Sequence, residues 1–214
     1  MTSVLLFGFV FVAGGVAVYL ALSLASARLK RESYIRHFVF PAPVLRSLAK
    51  AYPHLEEKDF FLVARALRQY FLVHLRSGRS SVAMPSKVVD ALWHEFILDT
   101  KTYHAFCGHA FGAYFHHVPA GNASSAGSER ESLRRTWRPA CLEENIDPRK
   151  ATRLPLLFAI DSKLKIADGH AYDLEVAKKA PQTDSSGCGG FGCSGASCGA
   201  DGCSGSCGGG CGGD

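Results

Sequence analysis

No charged side chain occurs between residues 2 and 27, and this run limits the chain more than any other feature. An α-helix needs about 20 such residues to cross the hydrocarbon core of a bilayer. The run therefore predicts one transmembrane helix, residues 3–27, inside an anchor formed by residues 1–30. A cleaved signal peptide is the alternative, because Ala25-Ser26-Ala27 has the small residues of a cleavage site. The length of the apolar run, with no Lys or Arg before it, favours the anchor.

Basic residues follow the apolar run, and they predict its orientation. The nearest ones are Arg28, Lys30, Arg31 and Arg36. Positive charge accumulates on the cytosolic side of membrane helices. We therefore expect a single-pass protein of the cell membrane, with its N-terminus outside and the rest of the chain in the cytosol. The same side chains can contact anionic headgroups, so the lipid bilayer is the first expected partner.

Four alanines in the apolar run lie at a spacing of four residues. They are Ala13, Ala17, Ala21 and Ala25, and on a helix they form one smooth ridge. Small residues at this spacing let two membrane helices approach closely, so a homodimer through this ridge is one hypothesis. Alanine is also common in membrane helices, and this simpler explanation is favoured.

Residues 31–181 are long enough to bury a hydrophobic core without disulfides or metal. Apolar residues at helical spacing predict a mainly α domain. The expected helices are one after Pro43 that ends near Pro53, one opened by Glu56, Glu57 and Asp59 and ended by Gly78, one from Ser86 to Cys107, a polar one over residues 129–145, and one opened by Pro155. A loop is expected over residues 118–128.

The charge and the cysteine content of the chain argue against a nucleic-acid-binding protein and against a disulfide-stapled secreted fold. The net charge of +5 is small and is not gathered into one basic stripe, so nucleic-acid binding is not favoured. Six of the eight cysteines lie after residue 187, which leaves only Cys107 and Cys141 in the domain. A disulfide-stapled secreted fold is therefore not expected.

Residues 93–117 hold five of the nine histidines, together with Cys107. Imidazole and thiolate are ligands for zinc or iron, so this segment predicts a metal site, with His94, Cys107 and His117 as candidate ligands. The zincin pattern fails, because the second histidine that His94-Glu95 requires is replaced by Leu98.

The alternative to a metal site is that the histidines are structural. In this interpretation His94 and His117 are core or helix-end residues, hydrogen-bonded to Asp90 or Asp99. No known ligand pattern is complete, so the residues alone favour this alternative. Cys107 lies among aromatic residues and fits a small buried hydrophobe. No nucleophile and base can be paired, so no catalytic residue is predicted.

A family resemblance begins in the same segment. The stretch MPSKVVDALWHEFILDTKTYHAFC, followed by FHHVP, resembles the glycine-rich domain-containing protein-like family, a domain of unknown function. The residues that carry it are Trp93-His94, Asp99-Thr100, Tyr103, Phe106-Cys107 and His116-His117 before Pro119. The resemblance covers about residues 40–165. It implies a helical domain and, in several members, a glycine-rich tail, but no reaction or cofactor. The short, membrane-anchored form resembles a bacterial protein.

Residues 182–214 are rich in Gly, Ser and Cys and predict a disordered tail. The tail cysteines are Cys188, Cys193, Cys198, Cys203, Cys207 and Cys211. The last three are separated by three residues each, within the range of zinc sites, so Cys203, Cys207 and Cys211 are candidate ligands. In a reducing cytosol the thiols stay free or bind metal, whereas on the outer side they would form disulfides.

Two functions remain open from the sequence. The first is a binding or scaffold module with metal-binding capacity, whose aromatic His/Cys face docks a protein partner. The second is a metal-dependent enzyme that uses a His/Cys site in residues 93–117. The first is favoured because no acid–base or nucleophile set can be assembled from the segment.

Overall fold

The fold is known from a computed structural model, which describes residues 2–78, 82–117 and 126–174. Side chains are described from residue 14 in the first range and from residue 131 in the third. The helices in these ranges are α1 (Thr2–His37), α2 (Ala42–Ala51), α3 (Glu57–Arg76), α4 (Lys87–Leu98), α5 (Thr100–Phe111), α6 (Ala126–Glu143) and α7 (Leu156–Lys163). The prediction of a mainly α domain is confirmed for this part of the chain. The tail prediction concerns residues outside it.

Helix α3 is the central helix of the domain. Its N-terminus carries a capping box, in which Glu56 and Asp59 each satisfy the backbone N–H of the other. It packs against α1, α4, α6 and α7. Its buried residues are Val63, Ala64, Ala66, Leu67, Gln69, Tyr70, Phe71, Leu72 and Val73. A stripe this wide can contact neighbours on several sides, which explains why α3 lies in the middle.

The expected single helix from Ser86 to Cys107 is wrong, because the chain forms two helices. Ser86 does cap the first, as predicted, by accepting a hydrogen bond from Val89 N. The break falls at Asp99, whose ψ of 68° is not helical. Its carboxylate accepts from Thr102 N and so caps α5. A capping aspartate satisfies backbone donors that a new helix leaves unpaired, and this offsets the cost of the break.

The predicted transmembrane anchor, residues 1–30, is wrong. Among the helices in the described part of the chain, none combines the length and the apolar character that a membrane span requires. The predicted localisation, a single-pass protein of the cell membrane with its N-terminus outside, is therefore also corrected.

The second half of α1 packs onto the domain through a network of charges. Ile35 is fully buried in the core. Arg76 of α3 donates to Glu32 Oε2 of α1 at 2.7 Å and to Glu143 Oε2 of α6 at 2.6 Å. Arg36 of α1 pairs with the same Glu143. One partly buried guanidinium therefore joins α1 to α3 and α6.

A structure of one chain does not test contacts between two chains. The homodimer through Ala13, Ala17, Ala21 and Ala25 therefore stays a prediction.

A buried carboxylate fixes the start of α4. Asp161 of α7 is 2% exposed and accepts from Ser86 Oγ at 2.6 Å. It also accepts from the backbone N–H groups of Lys87, Val88 and His170. Several donors compensate the loss of water around this side chain. The N-terminus of α4, and the side chains that follow on it, are thereby held against α7.

Gly169 lies against this carboxylate, and its replacement by alanine tests the contact. An added Cβ would lie 2.7 Å from Asp161 Cβ and 3.0 Å from Ile166 O. We expect Gly169→Ala to lower the free energy of unfolding by about 1–3 kcal/mol, the usual cost of overpacking. Urea denaturation measures this change.

Gly108, inside α5, provides the matched control. Nothing lies within 4 Å of a Cβ added there. Gly108→Ala should raise the free energy of unfolding by roughly 0.5–1 kcal/mol, because alanine is the better helix former. Equal changes in the free energy of unfolding for Gly169→Ala and Gly108→Ala, in the same direction, would contradict the contact between Gly169 and Asp161.

Candidate metal centre

Three side chains with metal-ligating atoms meet beside α4. They are Asp90, His94 and His117, and one ligand atom of each lies within 4.8 Å of the other two. Asp90 and His94 are four residues apart on α4 and share one face of that helix. His117 follows α5 and is brought to that face by the tertiary fold.

The cluster is held together by hydrogen bonds to Asp90. His117 Nε2 donates to Asp90 Oδ1 at 2.7 Å. His94 Nδ1 lies 2.9 Å from the backbone oxygen of Asp90 and 3.4 Å from its Oδ2. The side chains of His117, Asp90 and His94 are 10%, 33% and 51% exposed, so the cluster runs from the protein interior to its surface.

Two of these distances can be compared with those of a first coordination shell, and they run to different oxygens of Asp90. Zinc binds imidazole nitrogen and carboxylate oxygen at about 2.0–2.2 Å, which places tetrahedral ligand atoms about 3.4 Å apart. His94 Nδ1 lies 3.4 Å from Asp90 Oδ2, and it would have to give up its 2.9 Å bond to the backbone oxygen of Asp90 to bind a metal. The 2.7 Å between His117 and Asp90 would have to open by several tenths of an ångström. The donor set, two imidazoles and one carboxylate, suits zinc or ferrous iron.

The segment that carries His117 has no regular secondary structure. Helix α5 ends at Gly112, whose φ of 75° is the left-handed conformation that glycine adopts readily. Beyond it the side chains alternate. Phe115 and His117 both contact Trp93, with ring centroids at 4.9 and 4.4 Å, whereas Tyr114 and His116 contact each other. The alternation directs His117 toward α4.

Phe115, which is partly buried, has contacts through both its ring and its backbone. Its ring lies between His74, at 3.6 Å, and Trp93, at 4.9 Å. Its carbonyl oxygen accepts a hydrogen bond from Tyr103 at 2.5 Å. The same tyrosine oxygen accepts from Trp93 Nε1 at 3.1 Å. The residue two positions before His117 is therefore anchored to α3, α4 and α5.

The structure brings two of the three candidate domain ligands together. His94 and His117 lie in the cluster, whereas Cys107 is 1% exposed and contacts Tyr103 and the backbone of Phe115. Burial raises the pKa of the Cys107 thiol, which opposes the thiolate form that metals bind. Cys107 is therefore placed as a core residue. The tail candidates Cys203, Cys207 and Cys211 lie outside the described residues.

Asp90 completes the cluster, although sequence reasoning considered it only as a hydrogen-bond partner. The contact between Asp90 and both histidines agrees with the structural interpretation of those histidines. Asp90 also supplies the carboxylate that a three-ligand site needs. The available signal was the spacing of four between Asp90 and His94, which puts both on one helix face.

Comparison with known proteins gives a family. A family model described as UCP032817-like matches residues 30–194, more than half of the chain. Searches of the curated proteins and of the solved structures found no match.

His74, behind Phe115, is a histidine held neutral by its surroundings. Its Nδ1 is buried and has no hydrogen-bond partner. Burial lowers the pKa of His74 to about 4, from an ordinary value of 6.5. At a pH between about 4 and 6.5, His74 binds a proton in the unfolded chain but not in the folded chain. The free energy of unfolding therefore falls as the pH decreases through this window.

Replacement of His74 by leucine tests this effect. We expect the difference in unfolding free energy between His74→Leu and the parent to be constant above pH 6.5. It should shift in favour of the variant as the pH falls from 6.5 toward 4, because leucine cannot take up the proton. Chemical denaturation at several pH values measures the difference. The same pH dependence of the unfolding free energy in both proteins would contradict the lowered pKa of His74.

Proposed function

Because the chain belongs to the UCP032817-like family, a family that brings no assigned reaction, we propose a function from the site itself. The domain is a metal-binding helical module, in which Asp90, His94 and His117 bind one divalent zinc or iron ion. The observation that carries this proposal is the convergence of three ligand atoms within 4.8 Å of one another.

Two features of the site support metal binding. Asp90 and His94 project from a helix whose start is fixed by Asp161, so the backbone that carries them has a defined position. The third ligand, His117, comes from a segment that is anchored at Phe115. Rigid placement lowers the entropy lost when a metal is bound.

A metal at this position would act mainly on structure. It would join α4 to the segment after α5, in place of the single hydrogen bond between His117 and Asp90. Binding energy of this kind adds to the stability of the fold. The proposed role is therefore a metal-stabilised binding or scaffold module. The resemblance to the glycine-rich domain-containing protein-like family supports the same class, since it implies a helical domain without a reaction.

A metal-dependent enzyme is the second candidate, favoured by the number of ligands. Structural zinc sites have four protein ligands, whereas catalytic ones have three and an open position. This cluster has three ligands, and the side chains of Asp90 and His94 are 33% and 51% exposed to solvent. Water-proton relaxation of the Co²⁺-loaded protein separates the two roles. A rapidly exchanging bound water supports the enzyme, and its absence supports the structural module.

The ligand assignment predicts the effect of removing one imidazole. The parent is the full-length chain with the six tail cysteines replaced by serine, so that tail thiols do not bind metal. It should bind one equivalent of Zn²⁺. We expect His94→Ala to weaken binding by more than about 100-fold, since even outer-shell partners of a metal contribute about 10–100-fold. Titration against a chromophoric chelator measures the affinity.

His109→Ala is the matched control for His94→Ala. Both histidines lie on helices, are exposed and bond through Nδ1 to the carbonyl four residues earlier, at 2.9 Å for His94 and 2.8 Å for His109. They differ in that only His94 lies beside Asp90 and His117. The control should keep the parent affinity. Equal zinc affinities of the two variants would contradict the assignment.

A further inference from the structure

One buried hydroxyl connects the two parts of the chain that carry the proposed ligands. Tyr103 is fully buried, and its oxygen contacts the indole of Trp93, the carbonyl of Phe115 and the thiol of Cys107. It accepts from Trp93 Nε1 at 3.1 Å and donates to Phe115 O at 2.5 Å. Trp93 directly precedes His94, and Phe115 lies two residues before His117. The two ligand-bearing segments thus share one oxygen atom as a hydrogen-bond partner.

We propose that Tyr103 is the positioning residue of the metal site: its hydroxyl holds the His117 segment in register with α4. This inference rests on the proposed metal site and deepens it. Tyr103 does not touch the metal. It acts through Phe115, by fixing where along α4 the His117 imidazole meets Asp90.

The two stacked ring contacts of Phe115 provide only part of this register. Its ring lies against His74 and Trp93, with ring centroids at 3.6 and 4.9 Å. Stacked rings hold the spacing between their planes more firmly than their sideways position, and edge-on contacts with Phe71 and Phe111 limit that sliding in part. A hydrogen bond is directional in both distance and angle. Together with the contact between the Phe115 backbone and the Cys107 thiol, the Tyr103–Phe115 bond therefore restricts motion along the segment.

Tyr103→Phe removes the hydroxyl and leaves the ring. Two buried groups, the indole N–H of Trp93 and the carbonyl of Phe115, then lose their shared partner. Such groups move toward other partners or water. We expect the Zn²⁺ affinity to fall by about 10–100-fold, as for other outer-shell changes. The visible spectrum of the Co²⁺-loaded variant should also change, because the ligand geometry is altered.

Tyr70→Phe is a matched control in the same aromatic cluster. Tyr70 is 3% exposed, and its hydroxyl also donates to a backbone carbonyl, that of Val82, at 3.1 Å. This bond leads to the segment before α4 and not to His117. Tyr70→Phe should lower stability without changing the Zn²⁺ affinity or the Co²⁺ spectrum. A tyrosine that only stabilises the fold would give the same result at both positions.

The experiment uses the full-length parent with serine at the six tail-cysteine positions, and it compares Tyr103→Phe, Tyr70→Phe and His94→Ala. A selective loss of affinity in Tyr103→Phe supports the proposal. Unchanged affinity in Tyr103→Phe, or an equal loss in Tyr70→Phe, overturns it while the metal site stands. A parent that binds no Zn²⁺ overturns the metal site and this inference together.

A measurement on the parent keeps the proposal testable if Tyr103→Phe does not fold. The chain has two tryptophans, which give two indole N–H signals in an NMR spectrum. Trp93 donates to Tyr103, whereas Trp137 donates to Pro148 O. Addition of Zn²⁺ should shift the Trp93 indole signal and slow its hydrogen exchange, and it should leave Trp137 unchanged. A Trp93 signal that does not respond to bound Zn²⁺ overturns the proposal.

Discussion

The hydroxyl of Tyr103 is the polar group on which the arrangement of α4, α5 and the segment after them depends. A hydroxyl that is buried without a partner is costly, and so is a buried indole N–H or carbonyl. Here Trp93, Tyr103 and Phe115 satisfy one another within an aromatic core. The three elements must therefore come together in one register. The meeting of His117 with Asp90 is a consequence of that register.

The remaining helices are placed by buried or partly buried charges that have several partners each. Asp161 holds the start of α4 against α7, and Arg76 joins α1 to α3 and α6. Glu144, the residue after α6, accepts from Gln69 Nε2 at 3.0 Å and from Leu156 N at 2.5 Å, and so connects the end of α6 to α3 and α7. Groups of this kind require specific partners, whereas apolar contacts tolerate sliding. They give α4 a defined position, and the face with Asp90 and His94 follows from it.

Local signals allowed much of the helical structure to be predicted. Ser86 and Pro155 mark helix starts, and Gly78 follows the end of α3. The break at Asp99 was missed because an aspartate also fits the surface of a continuous helix. His94 and His117 were named from residue type, but their meeting depends on long-range contacts that spacing does not show. The membrane anchor is inferred from the length of an uncharged run and from the basic residues that follow it, and the structure corrects it.

X-ray absorption at the zinc edge tests the metal site most directly, on the full-length chain with serine in place of the tail cysteines. We expect one bound zinc with nitrogen and oxygen ligands at about 2.0–2.2 Å. We also expect outer-shell scattering from two imidazoles, which come from His94 and His117. A zinc that is not retained, or one whose spectrum shows water oxygens and no imidazole scattering, would contradict it.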